Sequence, residues 1–328
     1  MRLAIFVLFI AFVIGPAYIR TSPSPNGLDK NKLASTSSAK SIKVVEPSPI
    51  PAPLLAAEKW RGWNYVASRL LANGIDKETV QKIYTDKRLP RRTFVPFAVK
   101  PKEPSSMYRS FLQSKFSKLG STFIKKNARA FGTVEQEYKV PKEIVASIIV
   151  IESQAGKNTG KHPILYRLSR IATTNAPDNL KQNYTEARKK DPSVTFEQVA
   201  ARGLYLEQTF LPEIIALLEI AERNDIDPLA MKGSRAGAFG LPQFLPTTYL
   251  RFGTDGDKDG RVSLYNEADA VLSAAHFLSH HGLRADTPME QKRTILWNYN
   301  KSDSYIDTVL RLSEDIKRSM RRNNQSKR

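Results

Sequence analysis

The sequence predicts a predominantly α fold: a helical domain with an additional helical region on its N-terminal side. Three observations predict it. Strand signals are weak along the whole chain. Apolar residues recur at helical spacing from residue 54 to about 315. Pro, Gly and Asp stand where helices begin and end. The chain has 328 residues, 41% of them hydrophobic, enough for one large core or two small ones.

The elements follow in order. Residues 1–20, MRLAIFVLFIAFVIGPAYIR, place one Arg before an apolar run, with Gly15 and Ala17 behind it. This is the pattern of a signal peptide or of a membrane anchor, the run being intermediate in length. Either reading exports the rest of the chain. Residues 21–53 are rich in Ser, Pro, Lys and Asn and read as a disordered linker. WRGWNYVASRLLANGI predicts a helix stopped by Gly74, and Asp76 caps KETVQKIY. RLPRRTFVPFAVKPKEP is a Pro-broken connector. From 106 to 139 an amphipathic pattern carries Phe111, Phe116, Leu119, Phe123, Phe131 and Tyr138.

VPKEIVASIIVIESQAG, residues 140–156, predicts a buried helix. Pro141 suits a first helical position, and Ile144 to Ile151 is apolar on every side. Residues 176–200 read as a polar surface excursion with one or two short helices. TFLPEIIALLEIAERNDI is a helix ending near Asn224. A Gly-rich turn region spans 233–246 and an Asp-rich loop 254–266. EADAVLSAAHFLSHHG is a helix closed by Gly282. Residues 289–315 read as helical around WNYN, burying Trp297 and Tyr299. Residues 317–328, KRSMRRNNQSKR, read as a frayed basic tail.

Composition narrows the function. The net charge of +19 points to an anionic partner or surface. Without cysteine there is no disulfide framework, no thiolate metal site and no lipidated cysteine. Zinc-finger spacing, a Walker loop and RNA-binding aromatics are all missing, so nucleic acid is not the expected partner. The four histidines include His276 and His280 on one helix face. With no acidic helix motif beside them, a half-buried face is the expected reading.

Glu152 poses the central question. It is a carboxyl one step beyond the most apolar run of the folded chain. A buried carboxylate is costly unless paired or protonated. An apolar pocket and the negative end of a helix both raise its pKa, which makes a proton donor of the kind glycosidic cleavage needs. The bland alternative is a Glu that caps a neighbour or pairs with Arg. GAFGLPQF, 237–244, reads as a Gly-punctuated turn that lets backbone approach a ligand, with Gln243 able to donate and accept. DGDKDG opens a calcium-loop pattern with ligands from Asp255, Asp257, Asp259 and the Arg261 carbonyl. Its twelfth position is Asn266, for which Glu267 or Asp269 could substitute.

In YKVPKEIVASIIVIESQAG, DPLAMKGSRAGAFGLPQFLPTTY, DGDKDGRVSLYNEADA and NYNKSDSY, in that order, the sequence resembles the lytic murein transglycosylases. The similarity is to the membrane-bound lytic transglycosylase B group of the lysozyme-like superfamily. It runs from about Trp60 to about Leu312. The resemblance implies a transglycosylase domain over 54–316, with an N-terminal helical part (54–139) and a lysozyme-like core (140–316). It implies cleavage of the β-1,4 bond between N-acetylmuramic acid and N-acetylglucosamine in peptidoglycan, leaving a 1,6-anhydro-N-acetylmuramic acid end. Glu152 would act alone, first as acid and then as base.

By the same resemblance Ser234 and Gln243 line the cleft, Tyr299 and Asn300 contact sugar near the scissile bond, and Tyr305 is a further cleft tyrosine. No cofactor is implied for the chemistry; a structural Ca2+ is. Peptidoglycan strands are the implied partner, in the periplasm or envelope, with inner-membrane association if the N-terminus is retained, and the protein is expected to be a monomer. The paired arginines that relatives carry after the catalytic helix have no clear match here, Arg202 being a poor one. Two readings stand against this one: a goose-type-lysozyme-like hydrolase that adds water, and a non-catalytic wall-binding protein.

Overall fold

The computed structural model describes residues 60–101, 104 and 106–325. The signal or anchor segment and the linker lie outside the described residues. Helix ends follow local chemistry. Asp76 Oδ1 accepts from Thr79 N–H at 2.7 Å and starts α2 (Lys77–Thr85), after α1 (Asn64–Ala72) and the left-handed Gly74. A 3-10 turn (Arg109–Leu112) leads to α3 (Ser114–Lys126) and α4 (Ala128–Gln136). α5 (Lys142–Ser153) has every residue from Ile144 to Ser153 buried, as its all-round apolar sequence demands. It packs against α3, α4, α10 (Glu267–His280) and α12 (Asp303–Gln325). Gly120 on α3 lets α12 approach, because a Cβ there would stand 2.4 Å from Ile316 Cδ1.

α6 (Ile164–Ala172), α7 (Pro177–Lys190), α8 (Phe196–Arg223) and α9 (Pro246–Phe252) form the other half, with α11 (Met289–Tyr299) before α12. Among the described residues the paired strands are only β1 (His162–Pro163) and β2 (Lys232–Gly233), antiparallel. The predominantly α prediction holds. No helix of the described residues is long and apolar enough to cross a membrane.

The N-terminal helices dock on α6 and α8. Trp63 is fully buried, its Nε1–H donating to Pro90 O at 2.9 Å, and Tyr84 Oη shares a hydrogen bond with Ser169 Oγ. Beneath them Glu207 is ion-paired with Arg69 at 2.8 Å and accepts from Tyr65 Oη and Asn175 Nδ2. All but Asn175 are buried. Glu207→Ala is expected to destabilise the fold by about 3–5 kcal/mol, because it strands the buried Arg69 charge; urea unfolding measures it.

The polar stretch 176–200 carries a short helix, as expected, and α7 also ties it to the body of the protein. α7 aims Asn179 and Asn183 at the Pro-broken connector, where they accept from Val95 N–H and Phe97 N–H and both donate to Val95 O. Its polar residues replace a partner strand. Four expectations need correction. α8 starts at Phe196, held by a Thr195–Gln198 capping box, well before Thr209. Residues 289–315 are two helices broken at Asn300, whose extended backbone caps α11. Trp297 is 37% exposed, not buried. The basic tail is no frayed end as far as Gln325, since α12 runs through it.

Candidate active site

Glu152 is the penultimate residue of α5. Behind it Gln154, Ala155 and Gly156 all take positive φ, at 53°, 56° and 86°. Two of them are not glycine, so the turn stores strain of order 1 kcal/mol per residue. Ser153 holds it, donating to Ile149 O and accepting from Gly156 N–H at 3.0 Å, while Asn158 N–H donates to Ser153 O. The helix end is thereby fixed, and Lys157 to Lys161 are sent along one side of a groove.

Glu152 is 9% exposed, and its Oε2 is buried without a hydrogen bond. Burial pushes the group up to about 8, and the nearby Tyr305 hydroxyl pulls it back only in part. At neutral pH it therefore keeps its proton. Tyr305 is fully buried under this carboxyl, edge-on to Tyr108 and stacked on Tyr299 at 6.4 Å. This corrects its reading as a sugar contact, since a wholly buried hydroxyl cannot reach substrate. Removing that hydroxyl removes the pull downward. Tyr305→Phe is expected to move the alkaline limb of the pH–activity profile to higher pH.

The groove has a volume of about 380 Å³. One wall is Met107, Tyr108 and Phe111, from the 3-10 turn and its approach. The other is the β1–β2 ribbon, where His162 faces Gly233, with Ser234 just beyond. Gly160 permits this approach, because a Cβ there would meet the Gly233 carbonyl at 2.2 Å. Ser234 is on the wall as expected, yet its Oγ also accepts from Ala236 N–H and Ala238 N–H, which shapes the turn.

Gln243 lines the groove with φ of +50°. Its Nε2 donates to Thr159 O at 3.1 Å and to Gly240 O at 2.8 Å, which leaves Oε1 as the acceptor for a ligand. The glycines of GAFG do not face a ligand. Gly237 clears Leu168 and Gly240 clears Leu264, so the pattern serves internal packing. Tyr299 donates to Pro242 O at 2.6 Å, bracing the Gln243 turn. Tyr299 and Asn300 are not among the groove's lining residues, and Asn300 is 8% exposed. The structure joins Glu152, Ser234 and Gln243 in one groove, and sets Tyr299 and Tyr305 behind it. Met107, Tyr108 and the Lys157–His162 segment were missed in the sequence, where nothing but their fold-dependent position marks them.

In the Asp-rich loop the ligand set shifts. Asp255, Asp257 and Asp269 bring carboxylate oxygens within 4.8 Å of one another. Asp259 is exposed outside this three-carboxylate cluster, with its Oδ1 accepting from Arg261 N–H. Asn266 at the twelfth position caps α10 through its Oδ1. Asp269, in the first turn of that helix, takes the closing place and accepts from Gly256 N–H and Ser263 N–H. Three convergent carboxylates suit a hard cation such as Ca2+.

Two discounted features pack into the body of the fold. His276 and His280 pack on Phe252, with Nε2 of His280 2.9 Å from Arg251. Arg202 is buried on α8 beside the Tyr205 ring, away from the groove wall.

A predominantly helical domain whose groove is lined by a single carboxyl, that of Glu152, is the class of protein that the fold and the site define. More closely, the chain belongs to the family described as "Transglycosylase SLT domain", whose model matches residues 58–295. It is similar to the membrane-bound lytic murein transglycosylase B of Escherichia coli, 31% identical over 163 residues. That match covers 50% of this chain and 37% of the relative, so the chain spans little more than a third of that protein's length. In fold it is similar to the Escherichia coli lytic transglycosylase SLT35, solved with bulgecin A (TM-score 0.60, 19% identity, 79% of this chain and 93% of that one). SLT35 has also been solved with calcium (TM-score 0.58, 20% identity, 79% and 93%). A third likeness is SltB3 of Pseudomonas aeruginosa, solved with NAG-anhNAM-pentapeptide (TM-score 0.57, 19% identity, 79% of each chain).

Proposed function

We propose that the protein is a lytic murein transglycosylase. It cleaves the β-1,4 bond between N-acetylmuramic acid and N-acetylglucosamine and closes a 1,6-anhydro ring. The observation that carries this is Glu152: the groove has no other carboxyl among its lining residues, and this one holds its proton at neutral pH. Glu152 gives that proton to the glycosidic oxygen as the C1–O bond breaks. The carboxylate left behind takes the proton of the sugar's 6-hydroxyl while O6 bonds to C1. The proton count closes and no water is consumed. A lone carboxyl suits this better than an inverting hydrolase, which needs a second carboxylate to activate water.

Gln243 Oε1 and the Ser234 hydroxyl are the polar groups that orient the sugar from the ribbon side. Asp255, Asp257 and Asp269 would hold Ca2+ as a brace for the turn that leads into α10, with no part in the chemistry. The N-terminal segment would export the protein to the periplasm or envelope, as a released monomer or held at the inner membrane. Mass analysis of muropeptides from purified wall tests the reading. Anhydro ends, one water lighter than reducing ends, are expected. Reducing ends only would establish the hydrolase, and no products the wall-binding protein.

A further inference from the structure

The groove's ionisable groups are distributed by sign. Glu152 is its one carboxyl, while Lys157, Lys161 and Arg235 line its ribbon side around His162. All three cations are exposed, and none forms an ion pair among the described residues. They come from separate places and are brought together by the fold. Lys157 follows the left-handed turn that ends α5. Lys161 precedes β1 and Arg235 follows β2, and the pairing of His162 with Gly233 puts these two ends side by side. Gly160 seats the ribbon closely, and Arg167 Nε–H donates to Arg235 O at 2.8 Å, fixing that end. The cations also feel one another. His162 is held below its ordinary pKa first by burial, then by Arg167, Arg235 and Lys161.

Such a wall is unfavourable with nothing opposite it, because like charges repel, and it focuses a positive field along the groove. The same groove is lined by Met107, Tyr108 and Phe111, a mostly apolar set that suits the face of a sugar ring. The apolar lining therefore suits carbohydrate and the cationic lining suits negative charge.

We propose that Lys157, Lys161 and Arg235 form a carboxylate-reading wall that selects carboxylate-bearing N-acetylated glycan over a neutral glycan of the same linkage. This rests on the groove being a glycan site, as argued under the proposed function. The carboxylates have two sources, the lactyl group of muramic acid and the peptides attached to it. Arg235, with its planar fork, suits a bidentate carboxylate, and the two lysines act as point charges.

The test measures binding apart from cleavage, in the Glu152→Gln background and with three ligands. These are wall glycan strands with peptides, strands stripped of peptides but keeping lactyl carboxylates, and a neutral β-1,4-N-acetylglucosamine oligomer. Adding Lys157→Gln, Lys161→Gln and Arg235→Gln together is expected to weaken binding of a charged glycan by about tenfold. Neutral oligomer binding should stay within about twofold, a factor small against that tenfold change. Loss confined to peptide-bearing strands assigns the wall to peptide carboxylates; equal loss on stripped strands assigns it to the lactyl group.

With the three cations in place, raising the salt concentration should weaken the charged ligands and not the neutral one, a readout that does not need the triple variant to fold. Equal affinity of the triple variant for charged strands, or an equal loss on the neutral oligomer, overturns the proposal. Salt-independent binding of charged strands overturns it too. If lysis by the unsubstituted protein is missing while the charge pattern of binding holds, the transglycosylase reading fails and the wall stands.

Discussion

Glu152→Gln is expected to lower wall lysis by at least about a thousandfold, the upper range for losing a positioned acid and base. The substitution keeps shape and removes the transferable proton. Binding to insoluble wall should survive, because the groove contacts of Ser234, Gln243 and the apolar Met107–Phe111 wall do not depend on that proton. A pull-down of the variant with wall sacculi, run beside a turbidity assay, separates the two effects. Lysis by the variant within tenfold of the unsubstituted protein would remove Glu152 from the chemistry.

The same substitution should stabilise the protein, and the amount should depend on pH. Glu152 is raised from 4.5 to about 8 on folding. Below pH 4.5 folded and unfolded chains both hold the proton, and the shift has no effect. Between 4.5 and 8 the unfolded chain releases its proton and the folded one does not, so stability falls as pH rises. At pH 7 the loss is about 3 kcal/mol, from about 1.4 kcal/mol per pH unit over that window. Glu152→Gln escapes it. Its gain in unfolding free energy should be small at pH 4.5, grow to about pH 8 and level off above.

Glu213 tilts the profile of both proteins the same way. It is buried, raised to about 7, and accepts from Thr247 N–H and Oγ1–H. It cancels in the difference between them. Urea unfolding at pH 5 and pH 8 measures that difference. A gain that does not change with pH would mean that Glu152 is not desolvated.

Much of this was legible in the sequence, because it is written in contiguous residues. An all-round apolar run marks α5 as central whatever packs on it, and a carboxyl at its end has few options. Helix ends at Asp76, Asn224 and Gly282 follow local capping chemistry. The unreadable parts depend on residues distant in sequence. Asn179 and Asn183 look like solvated surface until the connector's unpaired backbone is placed beside them. Asp269 lies beyond the loop pattern and joins it through the first turn of α10, while Asp259, in the pattern, is outside the three-carboxylate cluster. The tyrosines near the C-terminal end were visible as aromatic residues. That Tyr299 braces the Gln243 turn and Tyr305 lies under Glu152 is set by the break at Asn300, in a stretch whose composition reads as one helix. The cationic wall is assembled by a ribbon two residues long on each side, too short to leave a strand signal.

The most direct measurement is the titration of the Glu152 carboxyl by carbon NMR, assigned by the resonance missing in Glu152→Gln. A midpoint near 8 is predicted, with the group neutral in the folded protein at pH 7. A midpoint near 4.5 would show an ordinary carboxylate, already ionised where it must give a proton, and would contradict the account.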